Sequence, residues 1–206
     1  SQTLEKNRPE LTELGANIDM LEKITPPFER ITYSDAADFL TSEKCRKFMA
    51  EQLTGFKAEK QKIQDRLAEI ENLLKGSMKK YKRDKLIAEQ ADLNAELSEL
   101  ETKIENNPRH DELAAGFKWG KDLGGSDETI ISMQYEKPVF ITHYPKDAKA
   151  FYMKLDRSDN RVVENFDMLA PAGFGEIIGG SVREDDYDLL LNRIKEHNYD
   201  PENYEW

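Results

Sequence analysis

The sequence predicts an α+β fold: an antiparallel β-sheet with flanking helices, interrupted by an inserted antiparallel helical hairpin of coiled-coil type. Three observations carry this. Residues 42 to 106 contain no proline and repeat their apolar positions on a heptad. From about residue 116 the texture switches to β-branched and aromatic runs separated by turn residues. Near the end, Tyr187, Leu190, Leu191 and Ile194 return to helical spacing. The organisation is therefore a helical segment at 1–41, an inserted hairpin at 42–115, and a segment of sheet and helix at 116–206.

In the first segment, Leu4, Leu11 and Leu14 predict short helical pieces, and Pro9 argues against one continuous helix. Thr32 or Ser34 is placed to cap a short helix carrying Ala36, Ala37 and Leu40. The first hairpin arm has apolar residues at Met49, Leu53, Phe56, Ile63, Leu67, Ile70 and Leu74, spaced 4, 3, 7, 4, 3 and 4, with Lys60 interrupting the seam. Leu86, Leu93, Leu97, Leu100 and Ile104 form the second arm, and Asn106, Asn107 and Pro108 are expected to end it. Between the arms, "KGSMKK" supplies a glycine stop and a turn. At 1.5 Å per residue each arm spans on the order of 40 Å.

Beyond residue 116, "KPVFITHY" reads as a buried strand. "KAFYMKL" alternates like a half-buried strand, "DRSDN" turns, and "RVVENFDML" returns, so these two are expected to pair as a hairpin. "GEIIGG" is a further strand, and "HNYDPENY" ends the last helix.

The net charge of −11, with 41 acidic and 30 basic residues, argues against nonspecific nucleic-acid binding through the overall field. A single cysteine, Cys45, cannot form an internal disulfide, which suits a reducing, cytoplasmic setting. No apolar run approaches the ~20 residues that span a bilayer, so no membrane association is expected. The opening "SQTLEKNRPEL" has no signal-peptide pattern and reads as the interior of a longer chain. The three histidines and one cysteine form no zinc-ligand spacing. Trp119 and Trp206 read as packing anchors, and His143 reads as structural.

The stretch "GFGEIIGGSVRE" places Glu176 before the pair Gly179-Gly180, with Arg183 after it. In a straight strand, residues seven apart face opposite ways. A bulge at the glycines would insert one residue and return Glu176 and Arg183 to a common face. Such a site offers a carboxylate for a metal ion, bare backbone for a flat ligand, and a guanidinium for a carboxylate or amide. The simpler alternative is a strand with a glycine turn and a surface arginine ahead of a helix.

Together "FERITYSDA", "KWGKDL", "YPKDAKAFYM" and "FDMLAPAGFGEIIGGSVRE" resemble the asparaginyl-tRNA synthetases of class II, subgroup b, in the family's order. The resemblance is loose over residues 1 to about 40 and close from about 117 to 206. It implies a catalytic domain on a six- or seven-stranded antiparallel sheet. It also implies that asparagine and ATP form an adenylate and that tRNA then takes the aminoacyl group. By residue, it implies that Glu176 holds magnesium (Mg2+) and the ATP phosphates with Asp167 nearby. The resemblance further implies that Gly179, Gly180 and Ser181 lie against the nucleotide and that Arg183 contacts the amino acid. Glu128 is expected to approach the substrate amino group, although "GGSDE" also reads as a mobile lid, and Tyr152, flanking the predicted pocket strand with Lys149, is expected to line the amino-acid site. Magnesium's preference for oxygen ligands suits both acids. The full-length enzyme is expected to be a homodimer.

"APAGFGE" is one residue longer than the usual bacterial pattern, which shifts Asp167 relative to Glu176. The family's second motif, with the arginine that grips the α-phosphate, is expected before residue 1, and its third after Trp206. Without those cations the segment is predicted not to form adenylate alone. The hairpin replaces a short connection in most members. Its basic tip, Lys75, Lys79, Lys80, Lys82, Arg83 and Lys85, suits RNA or an acidic protein, against the alternative of a solvated spike. Two other readings stay open: a related enzyme making free asparagine from aspartate, and a coiled-coil partner-binding module on a degenerate sheet.

Overall fold

The computed structural model describes residues 2–204; Trp206 lies outside them. The chain divides into two compact units, one formed by residues up to Thr41 together with those from Gly116 on, the other by Ser42–Ala115.

The first unit begins with three short helices, α1 (Gln2–Lys6), α2 (Arg8–Glu13) and α3 (Ile18–Lys23). Pro9 sits in the first turn of α2, where its missing N–H costs nothing. Strand β1 (Glu29–Thr32) follows, which the sequence reading did not anticipate. Helix α4 (Tyr33–Thr41) starts on a reciprocal cap: Thr32 N–H and Oγ1 both donate to Asp35 Oδ2, and the Asp35 N–H donates to Thr32 Oγ1. Of the two candidate caps, Thr32 is the one used.

The sheet has the order β1-β2-β3-β4, with β2 at Val139–Thr142, β3 at Asn165–Ala170 and β4 at Gly175–Ser181. β1 runs parallel to β2, and the other two pairings are antiparallel. "KAFYMKL" is not a regular strand. It makes only isolated bridges, Leu155 with Val163 and Met153 with Arg183, because β3 pairs with β2 and β4 on its two edges instead. Helix α7 (Gly125–Ser132) contacts β3 and β4, and α4 contacts α7, β1 and β2. Val139, Ile141 and Leu169 are buried with Ala36, Leu40, Ile130 and Ile131. Helix α8 (Tyr187–Glu196) is capped by Asp186, which accepts from the Leu189 N–H, and a 3₁₀ turn spans Pro201–Tyr204.

The second unit is the predicted antiparallel hairpin, α5 (Glu43–Leu74) and α6 (Lys80–Ala115). Ser42 caps α5 by accepting from the Cys45 N–H. Met49, Ile63, Ile70 and Leu100 are buried, while the other seam residues are half-buried, as a two-helix interface requires. Charged pairs flank the seam between arms: Lys60–Glu101 at 2.7 Å and Arg66–Glu89 at 2.7 Å. The expected stop at Asn106–Pro108 does not occur, and α6 continues to Ala115. Pro108 lacks the N–H that would bond Ile104, yet contacts on both sides hold the helix on course. Asn107 is buried and donates to the Met49 carbonyl (3.2 Å), and Asp111 pairs with Arg46 (2.7 Å).

Among the described residues, no helix is long and apolar enough to cross a membrane.

Candidate functional site

The glycine-pair strand is explained by two neighbours on two faces. Asp167 opposes Gly179, and Phe166 opposes Gly180. A Cβ built on Gly179 would lie 2.8 Å from Glu176 Oε1 and 3.2 Å from Asp167 Oδ1. One built on Gly180 would lie 2.7 Å from Phe166 Cε1. A side chain at Gly179 would meet carboxylates, and one at Gly180 would meet an aromatic ring.

A bulge is present, but it is not at the glycines. Leu169 opposes Glu176 while Met168 opposes Ile178, so Ile177 is the extra residue. Without it, Glu176 and Gly179, three apart, would face opposite ways. With it they share a face with Asp167. The glycines themselves lie in regular pairing, because their missing side chains serve close approach rather than a kink. By the same count Arg183 recovers the parity of Glu176, but it lies beyond the end of β4. Its guanidinium stacks on the Tyr152 ring, 4.1 Å from the centroid. Among the described residues, no hydrogen bond or ion pair joins Arg183 to Glu176.

Glu128 comes to the acids from α7. Its Oε2 accepts from the Glu176 N–H at 3.2 Å and lies 3.3 Å from where a Cβ on Gly175 would be. Gly175 has φ +79°, a left-handed conformation suited to glycine. The "GGSDE" stretch is an ordered helix start: the Gly124 N–H donates to Asp127 Oδ2, and Glu128 lies in the first turn. Burial pushes the Glu128 carboxyl up. The Glu176 N–H opposes this, and the Glu176, Asp167 and Asp122 charges add to it.

Asp167 is buried, at 7% exposure, and faces Lys149. Lys149 Nζ lies 3.0 Å from Asp167 Oδ2 and 3.0 Å from Asp122 Oδ1, and 4.1 Å from the Tyr144 ring centroid. Burial alone would lower the Lys149 pKa, but its bonds to Asp167 and Asp122 outweigh burial and the net direction is up. The Tyr144 hydroxyl is buried without an aligned partner, and burial, then the Asp167 charge, push its pKa up. Tyr33 ties "KWGKDL" in place: its hydroxyl accepts from the Gly120 N–H (3.1 Å) and donates to the Lys121 carbonyl (2.5 Å). Trp119 Nε1 donates to Ser34 Oγ at 3.1 Å, so this tryptophan does anchor the segment, although it is 44% exposed.

The structure thus gathers Asp167, Glu176, Gly179 and Glu128, and separately stacks Arg183 on Tyr152. Lys149, Asp122 and Tyr144 carry no site expectation from the sequence, although all three stand inside the motifs quoted above. A hollow of ≈ 680 Å³ is lined by Phe140 and Phe166 among others. Ser181 lines it, and its Oγ is buried with no partner among the described residues. Asp167, Glu176 and Arg183 do not line that hollow, so the acid cluster is distinct from it.

Among the described residues no three His, Cys, Asp or Glu side chains form a closed metal cage. Magnesium needs only one or two carboxylates beside phosphates and water. Glu176 and Asp167, both bordering the cradle at Gly179, satisfy that.

The model of the tRNA synthetases of class II (D, K and N) matches residues 2–206. An asparagine–tRNA ligase of Sorangium cellulosum is 34% identical over 205 residues, which is 100% of this chain and 33% of that protein. One from Pyrococcus horikoshii is 57% identical over 89 residues, 43% of this chain and 20% of that protein. The crystal structure of asparaginyl-tRNA synthetase from Pyrococcus horikoshii complexed with asparaginyl-adenylate matches with a TM-score of 0.61 and 33% identity, covering 99% of this chain and 31% of that one. The chain therefore spans a third or less of the length of these relatives.

Proposed function

Because the chain belongs to the class II tRNA synthetases (D, K and N), we propose that the full-length protein is an asparagine–tRNA ligase. It activates asparagine with ATP and transfers it to tRNA as a cytoplasmic homodimer. The observation that supports this best is the likeness, over 99% of the chain, to a structure solved with asparaginyl-adenylate. The acid cluster on β3, β4 and α7 is chemically suited to the same ligand.

In this reading Glu176 and Asp167 would hold magnesium when ATP is bound. The ion supplies charge neutralisation there. Gly179 keeps the strand bare where the nucleotide approaches, Gly180 lets Phe166 lie flat behind it, and Ser181 offers a hydroxyl. Arg183, oriented by the Tyr152 ring, contacts the amino-acid end of the substrate. Glu128 receives the substrate ammonium, which its proximity to three other acids favours. Lys149 pairs with both Asp122 and Asp167, so the buried acid has a cation beside it.

ATP–pyrophosphate exchange by the full-length protein tests the reading. Exchange dependent on asparagine is expected, with Glu176→Gln lowering it ~100-fold, the scale of losing an electrostatic stabiliser. Exchange supported by aspartate instead of asparagine, or none with either, overturns it.

A further inference from the structure

We propose that the tip of the α5–α6 hairpin is an RNA contact that grips the phosphate backbone and stacks one unpaired base. The inference deepens the proposed function, since the RNA would be the tRNA substrate of that same protein.

The turn between the arms inverts the charge of the chain locally. Residues 75–85 carry six cations against one acid, Asp84, in a protein of net charge −11. Arg83 is committed to the fold, because it donates to the Leu74 carbonyl at 3.1 Å and closes the end of α5. Lys79, Lys80 and Lys82 are different. They are exposed, and among the described residues no carboxylate lies within ion-pair distance of them. On the arms, by contrast, Lys60 and Arg66 are paired across the seam. The tip thus presents cations that folding leaves uncompensated.

An acidic polypeptide would satisfy charge alone. Two further features favour RNA. Tyr81 sits within the basic run Lys79-Lys80-Tyr81-Lys82-Arg83 and is 64% exposed, an aromatic face interleaved with cations. A hollow of ≈ 630 Å³ opens between the arms and is lined by Lys82, the residue after Tyr81. Leu73, Met78 and Leu86 line it with Lys82 and Lys85, and its one acid, Glu89, is paired with Arg66, so apolar groups and unneutralised cations meet in one concavity. Apolar groups beside cations match a splayed-out base with its phosphate.

The test uses the full-length protein and an unmodified tRNA transcript bearing the asparagine anticodon, with Kd measured across 50–200 mM salt. Reversing the three unpaired lysines together (K79E/K80E/K82E) is expected to raise Kd at least ~10-fold. It should also flatten the dependence of log Kd on log salt by about 2, the value for three lost phosphate contacts at ~0.7 each. Phosphate contacts carry no sequence information, so a non-cognate tRNA should lose affinity similarly. Tyr81→Ala should weaken binding at least ~5-fold without changing the salt slope, the signature of lost stacking. Unchanged Kd and slope in the triple variant overturn the inference, including the case where that variant loses binding to polyglutamate instead. Exchange by the unaltered protein, measured separately, reports on the proposed function, so the two failures are distinguishable.

Discussion

Gly180 lies against the ring of Phe166 so closely that a Cβ there would come within 2.7 Å of Phe166 Cε1 and 2.8 Å of Cζ. That ring is itself wedged edge-on against Phe140, with centroids 5.3 Å apart. Gly180→Ala must therefore push an aromatic pair aside. A loss of about 1–3 kcal/mol is expected in chemical denaturation, the range for overpacking.

Gly179→Ala should behave differently, although it is the adjacent residue. The nearest atom is Glu176 Oε1, the end of an exposed, flexible side chain. The carboxylate can swing away, so stability should change by less than about 1 kcal/mol. Asparagine-dependent exchange by the full-length protein should nevertheless fall at least ~10-fold, because Glu176 is displaced. Equal effects of the two alanines on stability would contradict the two-face account.

The Lys149 side chain is 14% exposed between Asp167 and Asp122. Lys149→Met leaves the buried Asp167 carboxylate without its cation. Removing one partner of such a pair costs about 3–5 kcal/mol. The double variant Lys149→Met/Asp167→Leu should lose less than the sum of the single losses in a double-mutant cycle.

Glu128 gives a pH test. Its carboxyl is raised in the fold, chiefly by burial, so the native state holds this proton more tightly than the unfolded chain. Stability contributed by this group is present below the unfolded value, near 4.3. It is lost as pH rises through the folded value. Relative to Glu128→Gln, which still offers an oxygen to the Glu176 N–H, the wild type should lose stability as pH rises from 4 to 7. A constant difference in Tm across that range would refute the assignment.

In the hairpin, Pro108 interrupts the bonding ladder of α6, and Ile70 is fully buried in the seam. Pro108→Ala should stabilise the hairpin by about 1–3 kcal/mol, less than the ~3 kcal/mol propensity difference because proline also restricts the unfolded chain. Ile70→Ala should destabilise it by about 2–5 kcal/mol. Thermal melts followed by helical circular dichroism distinguish the two signs.

The sequence by itself determined the two arms, the turn between them, three of the four strands and the last helix. Each is set by periodicity, capping and turn residues within about ten positions, as the Ser42 cap and the Leu73–Gly76 stop illustrate. Two residues of the acid cluster were also legible, because Asp167 and Glu176 stand in one recognisable motif; Glu128 stands in "GGSDE", which read equally as a lid. Only the tertiary structure decided what those elements do to one another. It passed over "KAFYMKL" and added β1 parallel to β2, choices made by competition among edges distant in sequence. It put the bulge at Ile177, where register with Met168 and Leu169 required an extra residue, and left the glycines for close packing. It carried α6 past Pro108 because Asn107 and Asp111 found partners on the facing arm. Local pattern specifies which conformation a segment prefers. Strand partners, register and the pairing of Lys149 with two acids depend on atoms far along the chain, which become neighbours only when the chain folds.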